Sequence, residues 1–493
     1  MRIKSPRPFP KSPLKSFPKS AELLHQLQSG DTLSIRRSIL LVVLLSLPTI
    51  AAQLSYIIMQ YIDAAMVGHL STTASASIGL ISPVTWLFNG LCTALTAGFA
   101  VQMAQRFGSR DQKAARSIMK QGLIVGLLFS GVLAIITVAL AFVLPTWLGG
   151  APDVRAGSTA YLAIFGVSLF ALQMTSMGSS MVQSSGNMKL PSLVSIIMCI
   201  CDVFFNSLLI FPPTTYSVLG LFSMAWPGAN LGVAGASLGT ALAEAVGAGI
   251  YLWFMLVHST VLRRRRGEHL RFSRIIVMTA VKISTPVAIE NAVTNSAQVV
   301  STRIISPLGT TAIAANAFAV TAESICYQPG FGIGSAATTI VGQSVGAKQK
   351  RMARRFVWLS IALGMATMTT AGILMFIFAP QMISMLSPDP VIQDMGGAAL
   401  RIGAIAEPFF AASIVASAAL RGAGDTLASS IFTAGTIWAI RVPLSIIFCP
   451  FMGINGYWLA SVIQWWVCGA LFLWRVKSEV WLKRLDTPRG LKK

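Results

Sequence analysis

The sequence predicts an all-α integral membrane protein with twelve transmembrane helices in two pseudo-symmetric lobes of six helices each. Three observations predict this fold: only 11% of the 493 residues are charged, 54% are hydrophobic, and the chain carries the same pattern twice. A soluble chain carries about 25% charged residues. Because so little charge cannot cover a water-soluble protein of this size, most of the surface is expected to face lipid.

Twelve apolar stretches are long enough to cross the membrane, since about 30 Å of hydrocarbon requires about 20 helical residues. They lie at 38–68, 76–105, 118–148, 156–182, 188–212, 230–259, 275–304, 312–343, 355–384, 391–419, 427–450 and 453–475. We divide the chain accordingly into a disordered basic tail (1–37), an N-lobe of six spans (38–260), a basic linker (261–274), a C-lobe of six spans (275–475) and a second basic tail (476–493). No cleavable signal peptide is expected, because the first apolar stretch is too long and lacks a small-residue cleavage site.

The basic residues are distributed as topology determinants. If the first tail is cytoplasmic, 34 of the 38 Lys and Arg residues lie on the cytoplasmic side. This bias predicts that both termini and the run Arg263 to Arg266 face the cytoplasm. The net charge is +22, and the basic residues lie between apolar segments without forming one continuous stripe. We therefore expect contact with membrane lipids and no nucleic-acid partner.

The two halves are copies of one another. A shift of 238 residues aligns Pro48 with Pro286 and continues without a gap to Pro212 and Pro450. The first half then carries 17 additional residues in a predicted external loop. Each copy holds an even number of spans, so the lobes are related by an axis along the membrane normal. Two such lobes enclose a central cavity that rocking opens to alternate sides, which favours a transporter over a channel or receptor.

Ionisable residues inside the spans are candidates for a functional site, because each costs at least about 2.5–3.5 kcal/mol at the bilayer centre. The acids in this position are Asp63, Asp202, Glu244, Glu290, Glu323 and Glu407, and the arginines are Arg303, Arg401 and Arg441. The repeat places Ser301 opposite Asp63 and Ile440 opposite Asp202. The shared scaffold therefore does not itself require acids at these positions.

Asp63, Asp202 and Asn206 are the predicted site for cation coupling and substrate. The central spans of the N-lobe carry no basic residue to neutralise the two acids, so these acids are suited to bind a proton. Asp202 and Asn206 are four residues apart and share one helix face. The alternative is a neutral hydrogen-bonded pair buried for packing.

Glu290, Glu323 and Arg441 are secondary candidates in the C-lobe. They are expected either to form an ion pair within the membrane or to line the transport path. Glu244 and Glu407 lie near Gly-rich or Pro-containing turns, and a structural role is the favoured interpretation for both.

The sequence contains no motif for enzymatic catalysis, a cofactor or a structural metal. Walker A, H-E-x-x-H and Gly-rich nucleotide patterns are absent, so we expect no enzyme and no ATP hydrolysis. The six cysteines fall in apolar stretches without metal-ligand spacing, which excludes a disulfide framework and a zinc site. The energy for transport is therefore expected to come from an ion gradient.

The chain resembles the multidrug and toxic compound extrusion (MATE) transporters of prokaryotic type. In the N-lobe, IDAAMVGHLSTTASASIGLISP is similar to the first-span pattern of that family. In the C-lobe, the similarity runs through TRIISPLGTTAIAANAFAVTAESICYQPGFGIGSAATTIVGQSVGAKQKRMARR, RGAGDT and WAIRVPLSIIF. The resemblance implies twelve helices in two lobes and export of cationic or amphiphilic drugs in exchange for H⁺ or Na⁺.

Residue by residue, the resemblance places Asp63 at the family's first-span carboxylate, which is tied to cation coupling. The fifth span differs from the family pattern, in which Asn often precedes Asp by four residues, because here Asp202 precedes Asn206. Glu290 in PVAIE and Glu323 before CYQPGFG resemble acids of the prokaryotic C-lobe.

Three functions remain open from the sequence. The leading one is a monomeric antiporter of the inner membrane that expels organic cations or amphiphiles. The second is a flippase for lipid-linked oligosaccharides, which should line its cavity with cationic side chains to hold pyrophosphate. The third is a channel, which would lack stoichiometric coupling.

Overall fold

The computed structural model describes residues 18–218, 222–263 and 272–483, and this part of the chain is almost entirely helical. The helices of the N-lobe, spans 1 to 6, are Ile35–Gly68, Thr72–Gly108, Gln112–Ala141, Pro152–Ser184, Lys189–Leu209 and Gly232–Trp253. Those of the C-lobe, spans 7 to 12, are Arg274–Ile305, Thr310–Gly346, Lys350–Ser384, the pair Pro390–Ala404 and Glu407–Ala423, Thr426–Met452, and Ile454–Lys477. The predicted fold class is confirmed.

Two spans of the C-lobe depart from a simple apolar helix. Span 10 breaks after Ala404 and bends by 59° before it resumes at Glu407. Span 8 is 37 residues long and rich in Ala, Gly, Ser and Thr, and many of these small residues are buried in the middle of the protein. Small side chains allow neighbouring helices to approach closely inside a membrane bundle.

Shorter segments complete the helical part. A π-helical turn, Phe254–His258, extends span 6, and another, Ile437–Arg441, interrupts span 11. A 3₁₀ turn, Ser306–Leu308, follows span 7. Span 3 ends at Ala141 and is followed by the short helix Leu144–Trp147, so the predicted span of 118–148 was too long at this end.

The first tail is partly ordered, which corrects the prediction of a disordered tail over residues 1–37. Pro18–Gln28 forms an amphipathic helix, hereafter the N-terminal helix. Its Leu23, Leu24 and Leu27 are buried. The segment AELLHQL carries apolar residues at helical spacing, a pattern that the Pro, Ser and Lys content of the whole tail obscured. Residues 1–17 lie outside the described residues.

The insertion after Pro212 contains a β-hairpin where only a loop was expected. Strands β1 (Thr214–Val218) and β2 (Phe222–Trp226) are antiparallel, with Thr214 opposite Trp226 and Val218 opposite Phe222. Both strands are rich in β-branched and aromatic residues, which favour an extended backbone.

The internal duplication is visible where the two lobes meet. A Cβ added to Gly108, the last residue of span 2, would lie 2.0 Å from the carbonyl oxygen of Gln343 in span 8. The repeat-related contact is nearly identical, because a Cβ on Gly346 would lie 1.9 Å from the carbonyl oxygen of Gln105. Spans 2 and 8 therefore cross in contact at their C-terminal ends, and we call this crossing the glycine gate.

Hydrogen bonds join the lobes at two other pairs of spans. Thr49 of span 1 donates to the carbonyl of Gly332 in span 8 at 2.8 Å. Asn291 of span 7 donates to the carbonyl of Gly90 in span 2 at 2.8 Å. Spans 1, 2, 7 and 8 therefore form the boundary between the lobes.

Candidate cation and substrate site

The three predicted N-lobe residues lie together. Span 5 carries Asp202 and Asn206 on one face, and span 1 brings Asp63 against that face. The Asn206 side-chain amide Nδ2 donates to Asp63 Oδ1 at 2.7 Å and to Asp202 Oδ2 at 3.0 Å. One amide group thus uses its two hydrogens to bridge two carboxylates. We call this arrangement the N-lobe acid site.

The N-lobe acid site is deeply buried and incompletely hydrogen-bonded. Asp202 and Asn206 are 0% exposed, and Asp63 is partly buried. The outer oxygens Asp202 Oδ1 and Asn206 Oδ1 are buried without a hydrogen-bond partner. Span 6 packs tightly here, because a Cβ on Gly239 would lie 2.0 Å from Asn206 Oδ1.

In the described part of the chain, no lysine or arginine forms an ion pair with Asp63 or Asp202. Burying a charge is costly unless the charge is paired. Two adjacent carboxylates with free oxygen lone pairs and no basic neighbour therefore favour binding of a proton or a small hard cation.

The same described residues hold no group of three or more His, Cys, Asp and Glu side chains placed to bind a metal ion. A cation at the N-lobe acid site would take its oxygen ligands from two carboxylates and one amide.

The C-lobe residues are paired differently from the prediction. Glu290 of span 7 does not pair with Arg441. Its Oε1 lies 3.4 Å from Arg421 Nη2, and its Oε2 accepts a hydrogen bond from Ser430 at 2.9 Å. Arg421 also binds Ser417, so this ion pair links spans 7, 10 and 11. Both carboxylate oxygens of Glu290 therefore have a partner.

Glu323 and Arg441 form no direct ion pair with each other in the described part of the chain. Arg441 Nε donates to Ser461 at 2.8 Å, and its guanidinium lies over the rings of Tyr457 and Trp465. Glu407, at the break of span 10, interacts electrostatically with Glu323.

Two acids for which the sequence favoured a structural role, Glu244 and Glu407, have unsatisfied oxygens in the structure. Both carboxylate oxygens of Glu407 and the Oε2 atom of Glu244 are buried without a hydrogen-bond partner. A structural role was favoured for both acids because they lie near turns. Glu244 follows Thr240 by four residues, so the two side chains share one face of span 6.

A cavity of about 300 Å³ lies where spans 1, 2 and 7 meet. Span 1 contributes Tyr56 to its wall, and the other lining residues are Trp86, Asn89, Gly90, Thr93, Asn291 and Asn295. We call this cavity the amide pocket. Tyr56 precedes Asp63 of the N-lobe acid site by seven residues on span 1, so the two residues lie on the same face of that helix, about two turns apart.

Comparison with known proteins identifies the family. The family model described as MatE matches the chain twice, at residues 48–208 and 286–447. The chain belongs to the MatE family. The two matches begin at the repeat-related residues Pro48 and Pro286, which agrees with the internal duplication. Membership in this family makes the chain a multi-pass membrane transporter, and 10 of its described helices, or 11 with the bent pair, are long and apolar enough to cross a membrane.

Curated relatives span nearly the whole MatE chain. It is 25% identical over 451 residues to a probable multidrug resistance protein NorM of Thermotoga maritima, covering 90% of this chain and 93% of the relative. It is 26% identical over 464 residues to a protein of the same description from Chromobacterium violaceum, covering 91% and 95%.

Solved structures share the fold of this MatE chain. The outward-facing conformation of a multidrug resistance MATE family transporter of the MOP superfamily gives a TM-score of 0.82 at 19% identity, covering 94% of this chain and 99% of that chain. A MOP superfamily transporter from Pyrococcus furiosus, whose binding pocket is described as having reverse polarity, gives 0.81 at 19% identity, covering 94% and 99%. The two-lobe arrangement of twelve helices is therefore shared with these proteins.

Proposed function

We propose that this MatE protein is a secondary active multidrug exporter that exchanges cationic or amphiphilic organic compounds for H⁺ or Na⁺ by alternating access. The single observation that carries the proposal is the buried pair of Asp63 and Asp202, bridged by Asn206 and unpaired with any basic residue of the described chain. The relatives described as multidrug resistance proteins support the substrate class.

Exchange follows from competition for the same carboxylates. A bound proton or Na⁺ neutralises the N-lobe acid site, so an organic cation loses the negative charge that attracts it. Release of the coupling ion restores that charge. Moving an equilibrium from 1:99 to 99:1 requires about 5.5 kcal/mol of differential binding, and a buried carboxylate that gains and loses its charge is suited to supply it.

Alternating access follows from the two lobes. Spans 2 and 8 are in contact at the glycine gate, while the amide pocket lies between the lobes near the middle of span 2. Rocking of the lobes about spans 1, 2, 7 and 8 would open the gate and close the pocket.

The distribution of basic residues supports an orientation for this cycle. We place both termini and the glycine gate on the cytoplasmic side of the inner membrane, and the hairpin of β1 and β2 outside. Cysteines introduced at Pro213 or Ala229 should react with impermeant thiol reagents in intact cells. Labelling at Phe272 in place of these positions would reverse the orientation.

A lipid-linked oligosaccharide flippase is not favoured. Such cargo carries pyrophosphate, which requires several cationic side chains in the cavity. No lysine, arginine or histidine is among the residues that line the amide pocket or form the N-lobe acid site.

Reconstituted vesicles test the exporter. Ethidium should move uphill when a pH or Na⁺ gradient is imposed and should equilibrate passively without one. Asp63→Asn should remain folded in the membrane and bind ethidium, but should no longer couple ethidium movement to the gradient. Asp153→Asn, an exposed acid at the start of span 4, is the matched control and should behave like the wild type.

Two results would contradict the proposal. Uphill transport by Asp63→Asn with an unchanged dependence on both gradients would remove Asp63 from coupling. Absence of gradient-driven ethidium movement by the wild type, together with flux of labelled lipid carriers, would support the flippase.

A further inference from the structure

The hairpin of β1 and β2 lies in a long uncharged stretch of the chain. Between Asp202 and Glu244 the sequence contains no Asp, Glu, Lys, Arg or His residue. This stretch includes the end of span 5, both strands and the first half of span 6. Protein that is exposed to water carries about 25% charged residues. The composition therefore indicates that the hairpin is not surrounded by water on all sides.

The register of the hairpin divides its residues between two unlike faces. Residues alternate between the faces along a strand, and Tyr216 pairs with Met224 whereas Ser217 pairs with Ser223. One face, which we call the aromatic face, contains all the aromatic and large apolar residues of the two strands: Thr214, Tyr216, Val218, Phe222, Met224 and Trp226. The opposite face contains only small residues: Thr215, Ser217, Ser223 and Ala225. The hairpin is therefore amphipathic.

A hairpin of this kind requires a surface to cover its aromatic face. Each strand has five residues, and among the described residues the sheet consists of these two strands. An isolated hairpin of two strands is at best marginally stable in water, and it gains stability when an apolar face packs against another surface. The bilayer is the apolar surface nearest to a loop that joins two membrane spans.

Backbone hydrogen bonds place the hairpin at the membrane boundary. Span 5 has 21 residues, which is enough to cross the hydrocarbon, and it ends at Leu209. The chain that returns from β2 is bonded to this end of span 5. The Ala229 N–H donates to the carbonyl of Leu208 at 2.8 Å, and the Leu231 N–H donates to that of Leu209 at 2.9 Å. Both strands therefore lie within a few residues of the point where the chain leaves the hydrocarbon.

The dimensions of the hairpin favour an orientation flat on the membrane. A strand of five residues is about 17 Å long, whereas the headgroup layer on each side of the hydrocarbon is about 5–8 Å thick. An upright hairpin would carry much of its aromatic face into water, and a flat one keeps the whole face at the boundary. Phe204 and Leu231, near the base of the hairpin, are 48% and 45% exposed, so the apolar surface of the spans continues to this level.

We propose that the hairpin is an interfacial anchor whose aromatic face binds the boundary between headgroups and acyl chains, while its other face contacts water. Tyr and Trp are enriched at that boundary because each ring is apolar and carries one hydrogen-bonding group. The partner is a lipid surface without selection for headgroup charge, since the hairpin has no charged residue. This anchor goes beyond the proposed export function. It attaches to the membrane the loop between span 5, which carries Asp202 and Asn206, and span 6.

Nitroxide labels on neighbouring residues test the anchor in the full-length protein. The six native cysteines are first replaced by alanine, and single cysteines are then introduced for labelling in phosphatidylcholine vesicles. Ser217→Cys and Val218→Cys form one pair of adjacent positions on opposite faces, and Ser223→Cys and Met224→Cys form another, so each pair contains its own control. Oxygen concentrates in lipid, whereas a neutral nickel complex remains in water. The ratio of oxygen to nickel collisions should be roughly threefold or more higher at 218 and 224 than at their neighbours, because a face buried about 5–10 Å into the boundary excludes the nickel complex.

Removal of the aromatic rings provides a second measurement. The double variant Tyr216→Ser, Trp226→Ser should release the aromatic face, so the collision ratio at Met224→Cys should fall to within about twofold of that at Ser223→Cys. Trp147→Ser is the matched control, since it removes a tryptophan of the same lobe that is 80% exposed and lies outside the hairpin. This control should leave the ratio unchanged.

Three results would overturn the anchor. Equal ratios within both pairs would show that the hairpin lies in water. Protection of all four positions from both reagents would show that protein covers the hairpin in place of lipid. An unchanged ratio at Met224→Cys after removal of both rings would show that these rings do not hold the hairpin at the membrane. None of these measurements requires transport, so failure of the proposed function would leave the test of the anchor intact.

Discussion

At the scale of single residues, Asn206 is the centre of the N-lobe acid site. Because it lies one helical turn beyond Asp202, its amide reaches across to Asp63 on span 1 while still bonding Asp202. An amide has two hydrogens and can bridge two carboxylates, which a carboxylate at the same position could not do. The order of Asp and Asn along span 5 therefore places the amide group where it contacts both carboxylates.

Replacement of Asp202 should weaken coupling without abolishing it. In Asp202→Asn, Asn206 still donates to Asp63, so one charged ligand for the coupling ion remains. A hydrogen bond to a charged group contributes about 1.5–3 kcal/mol, and we expect the half-saturating concentration of the coupling ion to rise by about tenfold or more. Initial transport rates against pH and Na⁺ concentration measure this change. Complete loss of coupling, equal to that of Asp63→Asn, would show that both acids are indispensable.

The ion pair of Glu290 and Arg421 should contribute to folding and not to ion selectivity. Glu290→Gln or Arg421→Gln leaves one charge uncompensated, which costs about 3–5 kcal/mol for a fully buried pair. The cost should be smaller here because the Arg421 side chain is 28% exposed. The double variant should regain much of the lost stability. Thermal unfolding in detergent tests the cycle.

A normal melting temperature in both single variants, combined with loss of transport, would instead place Glu290 in the transport path. Arg401→Gln is a suitable control, since Arg401 is an exposed arginine without an ion pair in the described chain.

The residues of the N-lobe acid site were predictable because a buried acid is costly and the repeat lacks one at the same position. The partner of Glu290 was not predictable. The predicted spans 391–419 and 427–450 place Arg421 in a cytoplasmic loop. In the structure the helix of span 10 extends to Ala423, and Arg421 lies against span 7. The bend at Ala404 redirects that helix, and no apolar pattern encodes the resulting partner.

At the scale of elements, the N-terminal helix connects the two lobes. Gln349 donates to the carbonyl of Leu27 at 2.7 Å, and Gln28 donates to Gln343 at 3.2 Å, both in the C-lobe. On the N-lobe side, Leu24 packs against Gly186, and Arg110 donates to the carbonyl of His25 at 3.4 Å. The helix therefore covers the glycine gate and contacts both of its sides.

Truncation of this helix's apolar face should loosen the glycine gate. Leu27 is fully buried, so Leu27→Ala should remove about 2–5 kcal/mol from the packing of the helix. A cysteine at Gln183, which binds Ser335 across the lobes, should then react faster with a water-soluble thiol reagent. The control is Leu47→Ala, a span 1 leucine that is 59% exposed. Equal labelling rates in both variants would show that the helix does not hold the gate.

The elements themselves were largely predictable, because a long apolar run can cross a bilayer only as a helix. Their irregularities were not. The break at Glu407 and the π-helical turn at Ile437–Arg441 depend on packing between spans, which hydropathy does not contain. The N-terminal helix was missed because its stability comes from burial against both lobes.

At the scale of the whole molecule, the duplication controls backbone geometry as well as sequence. Gly186 and Gly424 are repeat-related and have φ of 93° and 90°, and Arg110 and Lys348 are repeat-related with φ of 59° and 58°. All four lie in the left-handed region at or just beyond helix ends. Because the turns after equivalent helices have the same backbone conformation, these helices lie symmetrically about the lobe boundary. The glycine gate therefore contains two repeat-related contacts, Gly108 with Gln343 and Gly346 with Gln105.

The symmetry of the glycine gate leads to a prediction for the conformational equilibrium. Gly108→Ala and Gly346→Ala each place a methyl group within about 2 Å of a carbonyl oxygen of the opposite lobe, so the helices must separate. Overpacking of this kind costs about 1–3 kcal/mol, and only the gate-closed state bears this cost. Both variants should therefore shift the population toward the gate-open state by a similar factor, seen as faster thiol labelling of a cysteine at Gln183. Gly249→Ala, a helical glycine with open space around its Cβ position, should not change the labelling rate. A strong effect of one gate glycine without the other would show that the two lobes do not close symmetrically, and no effect of either would show that this contact does not limit opening.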